Sequence, residues 1–176
     1  MKKEIQSYCN SCLSCQKHKR SRHKGLGKMK LFSCDRPHQM VSMDIVGPFP
    51  ETDNGYRYVV TIMDRFSRYC MIIPVRDIKA LSVIQALDEW ISIFGHPECI
   101  LSDNGPQFVS AIFKHFARIH KVKLKTTTTY HPEANGMIER LHRWIKERLA
   151  LIATDCGLNF ESGRDDWSKY LKTIQF

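Results

Sequence analysis

The pattern of apolar and polar positions changes from strand-like to helix-like along the chain. Three short apolar runs rich in β-branched and aromatic residues, each bounded by turn residues, predict three consecutive antiparallel strands. These runs are residues 40–47, 56–63 and 69–75. Residues 80–94 then follow a helical period, and Gly95 and Pro97 are predicted to end that helix.

The second half of the chain alternates between short strands and helices. Apolar runs at 99–102 and 122–127 predict strands, and a helix is predicted between them over 109–120. A polar loop then leads into a long amphipathic helix over roughly 136–153, and a last helix is predicted near Trp167. Strands first, followed by strand–helix alternation, predict an α/β protein with a mixed sheet flanked by helices.

Composition and charge narrow the class of partner. A chain of 176 residues is long enough for one domain with a buried core, and its net charge of +9 favours nucleic acid over a membrane. No apolar run approaches the ~18 residues of a membrane span, and the first residues lack the apolar stretch of a signal peptide. Seven cysteines, an odd number, fit a reducing compartment better than a disulfide framework.

The tripeptide Asp-Asn-Gly occurs at Asp53 and again at Asp103, and in both cases a glutamate follows 36 residues later, at Glu89 and Glu139. The surroundings separate the two pairs. Asp53 lies in a hydrophilic stretch between two predicted strands, which is a strong hairpin signal. Glu89 lies on the polar face of the helix over 80–94. The first pair is therefore interpreted as a turn and a solvated helix face.

Both acids of the second pair, Asp103 and Glu139, lie beside apolar residues. Asp103 ends a buried apolar run, where a charge is costly unless it is hydrogen-bonded, paired or bound to a cation, and ligands gather at such strand ends. Glu139 lies beside the apolar stripe of the long helix, and Asp44 stands in the middle of the first strand. Structural alternatives remain: backbone hydrogen bonds for Asp44, helix capping for Asp103, and an ion pair of Glu139 with Arg143. Asp64 is interpreted as a turn residue.

The segments around these acids resemble the catalytic core of retroviral and retrotransposon integrases, in particular the Ty3/gypsy type. The resemblance rests on MDIVGPFP, VVTIMDRFSRY, FGHPECILSDNGPQF and YHPEANGMIERLHRWIK. It implies an RNase H-like fold, with a five-stranded mixed sheet flanked by helices on both faces. It also implies that Asp44, Asp103 and Glu139 are the D,D-35-E triad.

The same resemblance implies the chemistry. Asp44 and Asp103 would hold two Mg²⁺ or Mn²⁺ ions, and Glu139 would complete the second metal site. The enzyme would trim the 3′ ends of donor DNA and transfer them to a target strand. Its double-stranded DNA would be bound by basic, polar and aromatic residues of the loop and long helix. These residues are Tyr130, His131, Asn135, His142, Arg143 and Lys146.

Alternatives to these DNA contacts remain open, because Tyr130 can pack on the core and the basic helix residues can form a solvated face. His142 and Trp144 depart from the Asn and Thr usual in the family. A homo-oligomer, a dimer or tetramer, is expected, in the nucleus or in an intracellular retroelement particle.

Three domains are predicted. Residues 1–16 resemble the second half of a His-His-Cys-Cys zinc domain, with Cys12 and Cys15 as a partial zinc site whose Zn²⁺ would belong to a longer parent protein. Residues 17–36 are predicted to be a basic linker, and 37–176 an integrase core with an incomplete C-terminal end.

Two rival functions follow from the same residues. One is a domesticated, catalytically silent DNA- or protein-binding module derived from an integrase. The other is an ordinary RNase H-like nuclease, which the integrase-like segments around Asp103 and Glu139 disfavour.

Overall fold

The computed structural model describes residues 2–11, 34–126, 132–160 and 165–175. The chain forms two units, Met1–Leu31 and Phe32–Phe176. In the first unit, α1 (Lys2–Ser11) is a helix whose apolar Ile5 and Tyr8 are exposed. The division of residues 1–36 into a zinc-domain remnant and a basic linker stays a prediction.

The second unit contains a mixed sheet of five strands in the order β3-β2-β1-β4-β5. The strand β1 pairs antiparallel with β2 and parallel with β4, while β2–β3 is antiparallel and β4–β5 parallel. The predicted five-stranded mixed sheet is therefore confirmed. The strands are β1 (Met40–Val46), β2 (Tyr58–Asp64), β3 (Cys70–Val75), β4 (Cys99–Ser102) and β5 (Lys123–Thr126).

The first Asp-Asn-Gly tripeptide forms the turn between β1 and β2. The Gly55 amide donates to the Thr52 carbonyl oxygen over 2.7 Å, and the Thr52 hydroxyl accepts the Tyr56 amide over 3.1 Å. Gly55 has a φ of 79°, which favours glycine at this position. Asp53 and Glu89 are both exposed, so their interpretation as a turn residue and a solvated helix residue is confirmed.

The turn between β2 and β3 is held by a buried carboxylate. Asp64 accepts hydrogen bonds from the Ser67 amide (2.8 Å), the Ser67 hydroxyl (2.6 Å) and the His38 amide (3.0 Å). Burial acts to raise the pKa of Asp64, but these hydrogen bonds outweigh it and lower that pKa. Asp64 is thus the last residue of β2, directly before the predicted turn, and its carboxylate stabilises that turn.

Helices cover both faces of the sheet. On one face pack α2 (Ala80–Phe94), the short α3 (Pro106–Val109) and α4 (Ala111–Ile119). On the other face lie α5 (Pro132–Cys156) and a 3₁₀ helix (Trp167–Tyr170). This arrangement confirms the expected helices on both faces.

The single helix predicted over 109–120 is wrong, because the chain breaks between α3 and α4. Ser110 is extended (φ −61°, ψ 152°), and its hydroxyl accepts the amide of Phe113 over 3.1 Å. This side-chain cap begins a new helix at Ala111. A serine at the end of a short helix therefore ends α3 and begins α4.

The two faces of β1 have different surroundings, and this difference positions the candidate site. Val41 and Met43 pack among apolar side chains of α2. On the opposite face, Val46 lies in the core formed with α5. The predicted apolar stripe of α5, Ile138, Leu141, Ile145 and Leu149, is buried there. Each such burial contributes about 1.5–3 kcal/mol, which fixes α5 across the sheet.

None of the helices in the described ranges combines the length and the apolar content that crossing a membrane requires.

Candidate active site

Asp44 lies in the middle of β1 with only 18% of its side chain exposed. Its Oδ1 accepts the amide of Ile45 over 2.8 Å. Its backbone carbonyl accepts the hydroxyl of Thr61, its direct partner on β2, over 3.1 Å. The backbone hydrogen bond considered as a structural alternative is thus present, but it occupies one carboxylate oxygen and leaves Oδ2 available.

Asp103 follows directly after β4. Its Oδ1 accepts the amide of Gly105 over 2.9 Å, which orients the carboxylate in a tight turn. A Cβ on Gly105 would stand 3.0 Å from Asp103 Oδ1 and would require the end of the Gln107 side chain to move. The N-cap of α3 is Gly105 without a side-chain cap, so Asp103 does not cap that helix.

Glu139 lies on α5, exposed, directly after the buried Ile138. Within the described part of the chain, no ion pair joins Glu139 to Arg143, so the proposed structural role of Glu139 is not seen. The apolar stripe of α5 packs against the sheet, the helix contacts β1, and the charge of Glu139 acts on Asp44.

The charges of Asp103 and Glu139 act on the carboxylate of Asp44. Burial raises the pKa of Asp44 to about 6, the hydrogen bond from Ile45 opposes this rise, and the charges of Asp103 and Glu139 add to it. Three acids distant in sequence are therefore close enough to repel. A divalent cation among them would offset that repulsion, and a set of carboxylate oxygens suits Mg²⁺ or Mn²⁺. Among the residues that the structure describes, no three side chains already stand at mutual ligand distance.

The imidazole of His142 lies beside Asp44. Its Nε2 is 3.0 Å from the Thr61 hydroxyl oxygen and its Nδ1 is 4.0 Å from Asp44 Oδ2. Burial, and then the nearby charge of Lys146, lowers the pKa of His142 to about 4. The ring is therefore neutral at neutral pH, and its approach to Asp44 is not an ion pair. The side chain is 16% exposed, and its predicted contact with DNA stays a prediction.

The remaining predicted residues divide into two groups. Arg143 and Lys146 are exposed on α5, beside Glu139 and His142 along the helix. Several others fall outside the described residues or side chains and stay predictions: Tyr130, His131, Asn135, Cys12 and Cys15.

Thr61 is the functional candidate that the sequence did not reveal. It is fully buried in the middle of β2, where it links the Asp44 backbone to His142. Its position opposite Asp44 depends on the register between β1 and β2. The hydrophobic pattern of the sequence does not determine which residues pair in that register.

Comparison with known proteins gives a consistent picture. The model of the Integrase core domain family matches residues 35–132, more than half of the chain. The Tf2-3 transposon polyprotein of Schizosaccharomyces pombe is 30% identical over 157 residues, which are 88% of this chain and 12% of that polyprotein. The Tf2-4 polyprotein of the same yeast matches equally well. The chain thus spans about an eighth of the length of these relatives.

Solved structures share the fold. An intasome of simian T-cell lymphotropic virus in complex with the PP2A regulatory subunit B56 gamma superposes with a TM-score of 0.69 at 23% identity, covering 99% of this chain and 60% of that one. The HTLV-2 integrase catalytic core domain in complex with magnesium, in its dimeric form, gives a TM-score of 0.59 at 25% identity over 78% of this chain and 86% of that one.

The BIV integrase catalytic core gives a TM-score of 0.60 at 21% identity over 77% of this chain and 79% of that one. The sheet order, the flanking helices and the family match agree with one another. The chain belongs to the integrase core domain family and has its RNase H-like fold.

Proposed function

We propose that this chain is the catalytic core of a divalent-metal-dependent polynucleotidyl transferase that processes DNA 3′ ends and joins them to a target strand. The observation that supports this most is that the charges of Asp103 and Glu139 both act on the carboxylate of Asp44. Asp44 comes from β1, Asp103 from the end of β4 and Glu139 from α5, and the charges of the last two raise the pKa of the first.

Local hydrogen bonds prepare the acids for metal binding. The Ile45 amide holds Oδ1 of Asp44 and the Gly105 amide holds Oδ1 of Asp103, so the second oxygen of each carboxylate is left for a cation. Glu139 would complete the set. Two Mg²⁺ or Mn²⁺ ions held there would activate the attacking oxygen and stabilise the leaving oxygen at phosphorus.

The proposed partner is double-stranded DNA. The net charge of +9 favours a polyanion, and Arg143 and Lys146 stand exposed on α5 beside the candidate site. Tyr130, His131 and Asn135 are proposed to contact the same DNA. The HTLV-2 relative is described in dimeric and trimeric forms, which supports a homo-oligomer here as well.

The parent protein is proposed to act in the nucleus or in a retroelement particle, in keeping with the Tf2 transposon relatives. Cys12 and Cys15 are proposed as two ligands of a structural Zn²⁺ in that longer protein.

The repeated Asp-Asn-Gly tripeptide provides a matched experiment. Purified protein is incubated with Mn²⁺ and labelled end-mimic or branched DNA, and Asp103→Asn is compared with Asp53→Asn. We expect Asp103→Asn to lose product formation at least about 100-fold, the scale for removing one electrostatic group from an active site. Asp53→Asn, in the exposed turn, should keep the wild-type rate. Equal product from wild type and Asp103→Asn would contradict the proposal.

A second pair of variants tests the third acid in the same way. Glu139→Gln should abolish joining, and Glu89→Gln, which changes an exposed glutamate on α2, should not. Loss of activity in both variants, or in neither, would contradict the assignment of Glu139.

One observation favours the silent binding module as a second candidate. The described acids do not yet stand at mutual ligand distance. A silent module would bind DNA but form no product with Mg²⁺ or Mn²⁺, whereas the transferase forms product that depends on Asp103.

A further inference from the structure

The edge strand β5 carries two exposed lysines, Lys123 and Lys125, on one face of the sheet. The residue between them, Leu124, packs against the core that contains α2 and α4. Successive residues of a strand point to opposite faces, so the two lysines point to the face opposite α2 and α4. We call Lys123 and Lys125 the β5 lysine pair.

The β5 lysine pair shares its face with Asp44. The parallel register pairs Ser42 of β1 with Leu101 of β4, and Leu101 with Lys125 of β5. Paired residues of neighbouring strands point to the same face, and Asp44 lies two residues beyond Ser42 in β1. The lysines and the carboxylate of Asp44 are therefore on one side of the sheet.

The lysine pair also lies next to the strand that leads into Asp103. Lys125 is paired with Leu101, which is two residues before Asp103. Neighbouring strands are about 4.8 Å apart, and β4 and β5 run parallel, so their carboxyl ends meet at one edge of the sheet. Lys125 is therefore the member of the pair that is nearer to the candidate site.

The two ammonium groups act together on a buried neighbour. Cys99 is paired with Lys123 in the parallel register and lies on the same face. Burial raises the pKa of the Cys99 thiol, and the charges of Lys125 and Lys123 oppose this rise. The guanidinium of Arg65 acts on Cys99 in the same direction. The electrostatic potential on this part of the sheet is therefore made more positive by three side chains.

Basic residues thus lie on two sides of the candidate site. The helix α5, which exposes Arg143 and Lys146, packs on side chains of β1, β2 and β3. The β5 lysine pair is at the other edge of the sheet, beyond β4. In an in-line displacement at phosphorus the attacking and leaving oxygens are on opposite sides, so the DNA must extend from the site in more than one direction.

We propose that Lys123 and Lys125 bind backbone phosphates of the DNA beside the candidate site, as a second set of contacts separate from Arg143 and Lys146. The proposal rests on the function proposed above and adds two residues to it. Lysine binds phosphate as a point charge, so these contacts would hold the DNA without reading its sequence.

The salt dependence of DNA binding tests the proposal. Fluorescence anisotropy with end-mimic DNA is measured over a salt series for wild type and the double variant Lys123→Ala/Lys125→Ala. We expect the slope of log K against log salt to fall by about two, because each phosphate contact contributes about one. An unchanged slope in the folded double variant would overturn the proposal.

The chain offers a control with the same change of charge. Lys114→Ala/Arg118→Ala removes two exposed basic residues from α4, on the opposite face of the sheet, and should leave the slope at its wild-type value. The charge-conserving Lys123→Arg/Lys125→Arg should also keep the wild-type slope. A fall of the same size in the α4 variant would overturn the proposal, since the effect would then follow net charge alone.

Protection of the edge is the alternative role of these lysines, because a charged edge strand resists pairing with another chain. Size-exclusion chromatography before each titration separates the two roles. If the double variant aggregates and its monomeric fraction keeps the wild-type slope, the lysines only protect the edge and the proposal is wrong. A lowered slope in the monomeric fraction supports the phosphate contacts.

Donor and target DNA offer the same phosphates, and the two reaction steps distinguish them. Slower 3′-end processing and slower joining in the double variant would assign the lysine pair to donor DNA, and slower joining alone would assign it to target DNA. If neither step is slowed while wild type joins DNA in an Asp103-dependent way, the lysine contacts are wrong and the proposed function stands. If the slope falls as expected but wild type forms no product, the contacts stand and the transferase function fails.

Discussion

The ionised carboxylate of Asp44 destabilises the folded protein when no cation neutralises its charge. Its pKa is raised from 3.8 to about 6, so the folded state holds this proton more firmly than the unfolded chain does. The free energy of unfolding therefore contains a contribution that is intact below about pH 4 and is lost as pH rises through 6. Above pH 6 the metal-free protein keeps the charged carboxylate of Asp44 in a half-buried site, where the charges of Asp103 and Glu139 also act on it.

Replacing this carboxylate should stabilise the metal-free protein. In a chelator at pH 7.5 we expect Asp44→Asn to raise the free energy of unfolding by about 3 kcal/mol, the equivalent of the pKa difference. The gain should vanish below pH 4. Urea denaturation of wild type, Asp44→Asn and the turn control Asp53→Asn across this pH range measures it. A less stable Asp44→Asn at pH 7.5 would show that the carboxylate is structural.

Asp64 should behave in the opposite way. Its pKa is lowered because hydrogen bonds from Ser67 and His38 outweigh burial, so its contribution is present above the ordinary pKa and is lost in acid. Asp64→Asn weakens these bonds, and we expect a loss of about 1–3 kcal/mol at neutral pH. Urea denaturation measures it, with the exposed Asp88→Asn on α2 as control. Equal stability of the two variants would argue against this role.

At the scale of helices and strands, the predictions from the sequence failed where a single side chain sets the boundary of an element. The strand β4 lies at its predicted residues, because an apolar run of four residues between turn residues is too short for a helix and favours a buried strand. The break at Ser110 was missed, because apolar periodicity continues across it and one hydroxyl decides it. The helix α5 begins at Pro132, earlier than predicted, since proline is tolerated in a first helical turn.

The cap at Ser110 makes a prediction for α4. Ser110→Ala leaves the Phe113 amide without its side-chain acceptor, and we expect a loss of about 1 kcal/mol. Hydrogen exchange should show faster exchange of the first amides of α4. Ser92→Ala, on the exposed face of α2, is the control and should change little. Unchanged exchange at Phe113 would mean that the cap does not hold the helix.

At the scale of the whole molecule, the sequence indicated the acids but not their neighbours. Asp103 and Glu139 could be separated from Asp53 and Glu89 by local context alone. The role of Thr61 depends on the register between β1 and β2, and that of His142 on the angle at which α5 lies over the sheet. Such relations join residues far apart in the chain, and periodicity within one element carries no information about them.

The charge of the molecule makes a prediction for the proposed binding of DNA. With a net charge of +9, the logarithm of the binding constant for DNA should fall linearly with the logarithm of the salt concentration. Arg143→Ala and Lys146→Ala should each reduce that slope by about one. Lys114→Ala, on α4 across the sheet, is the control and should leave the slope unchanged. Fluorescence anisotropy over a salt series measures it. Equal slopes for all three variants would place the DNA elsewhere.

The strand order also governs when the site comes into being. The strand β1 lies between β2, its neighbour in the chain, and β4, which comes only after α2. Glu139 follows later still, on α5. During synthesis on the ribosome, the emerging polypeptide therefore holds Asp44 for some time before the other two acids leave the exit tunnel. An incomplete chain that lacks Glu139 therefore cannot carry out the proposed chemistry, which requires all three acids.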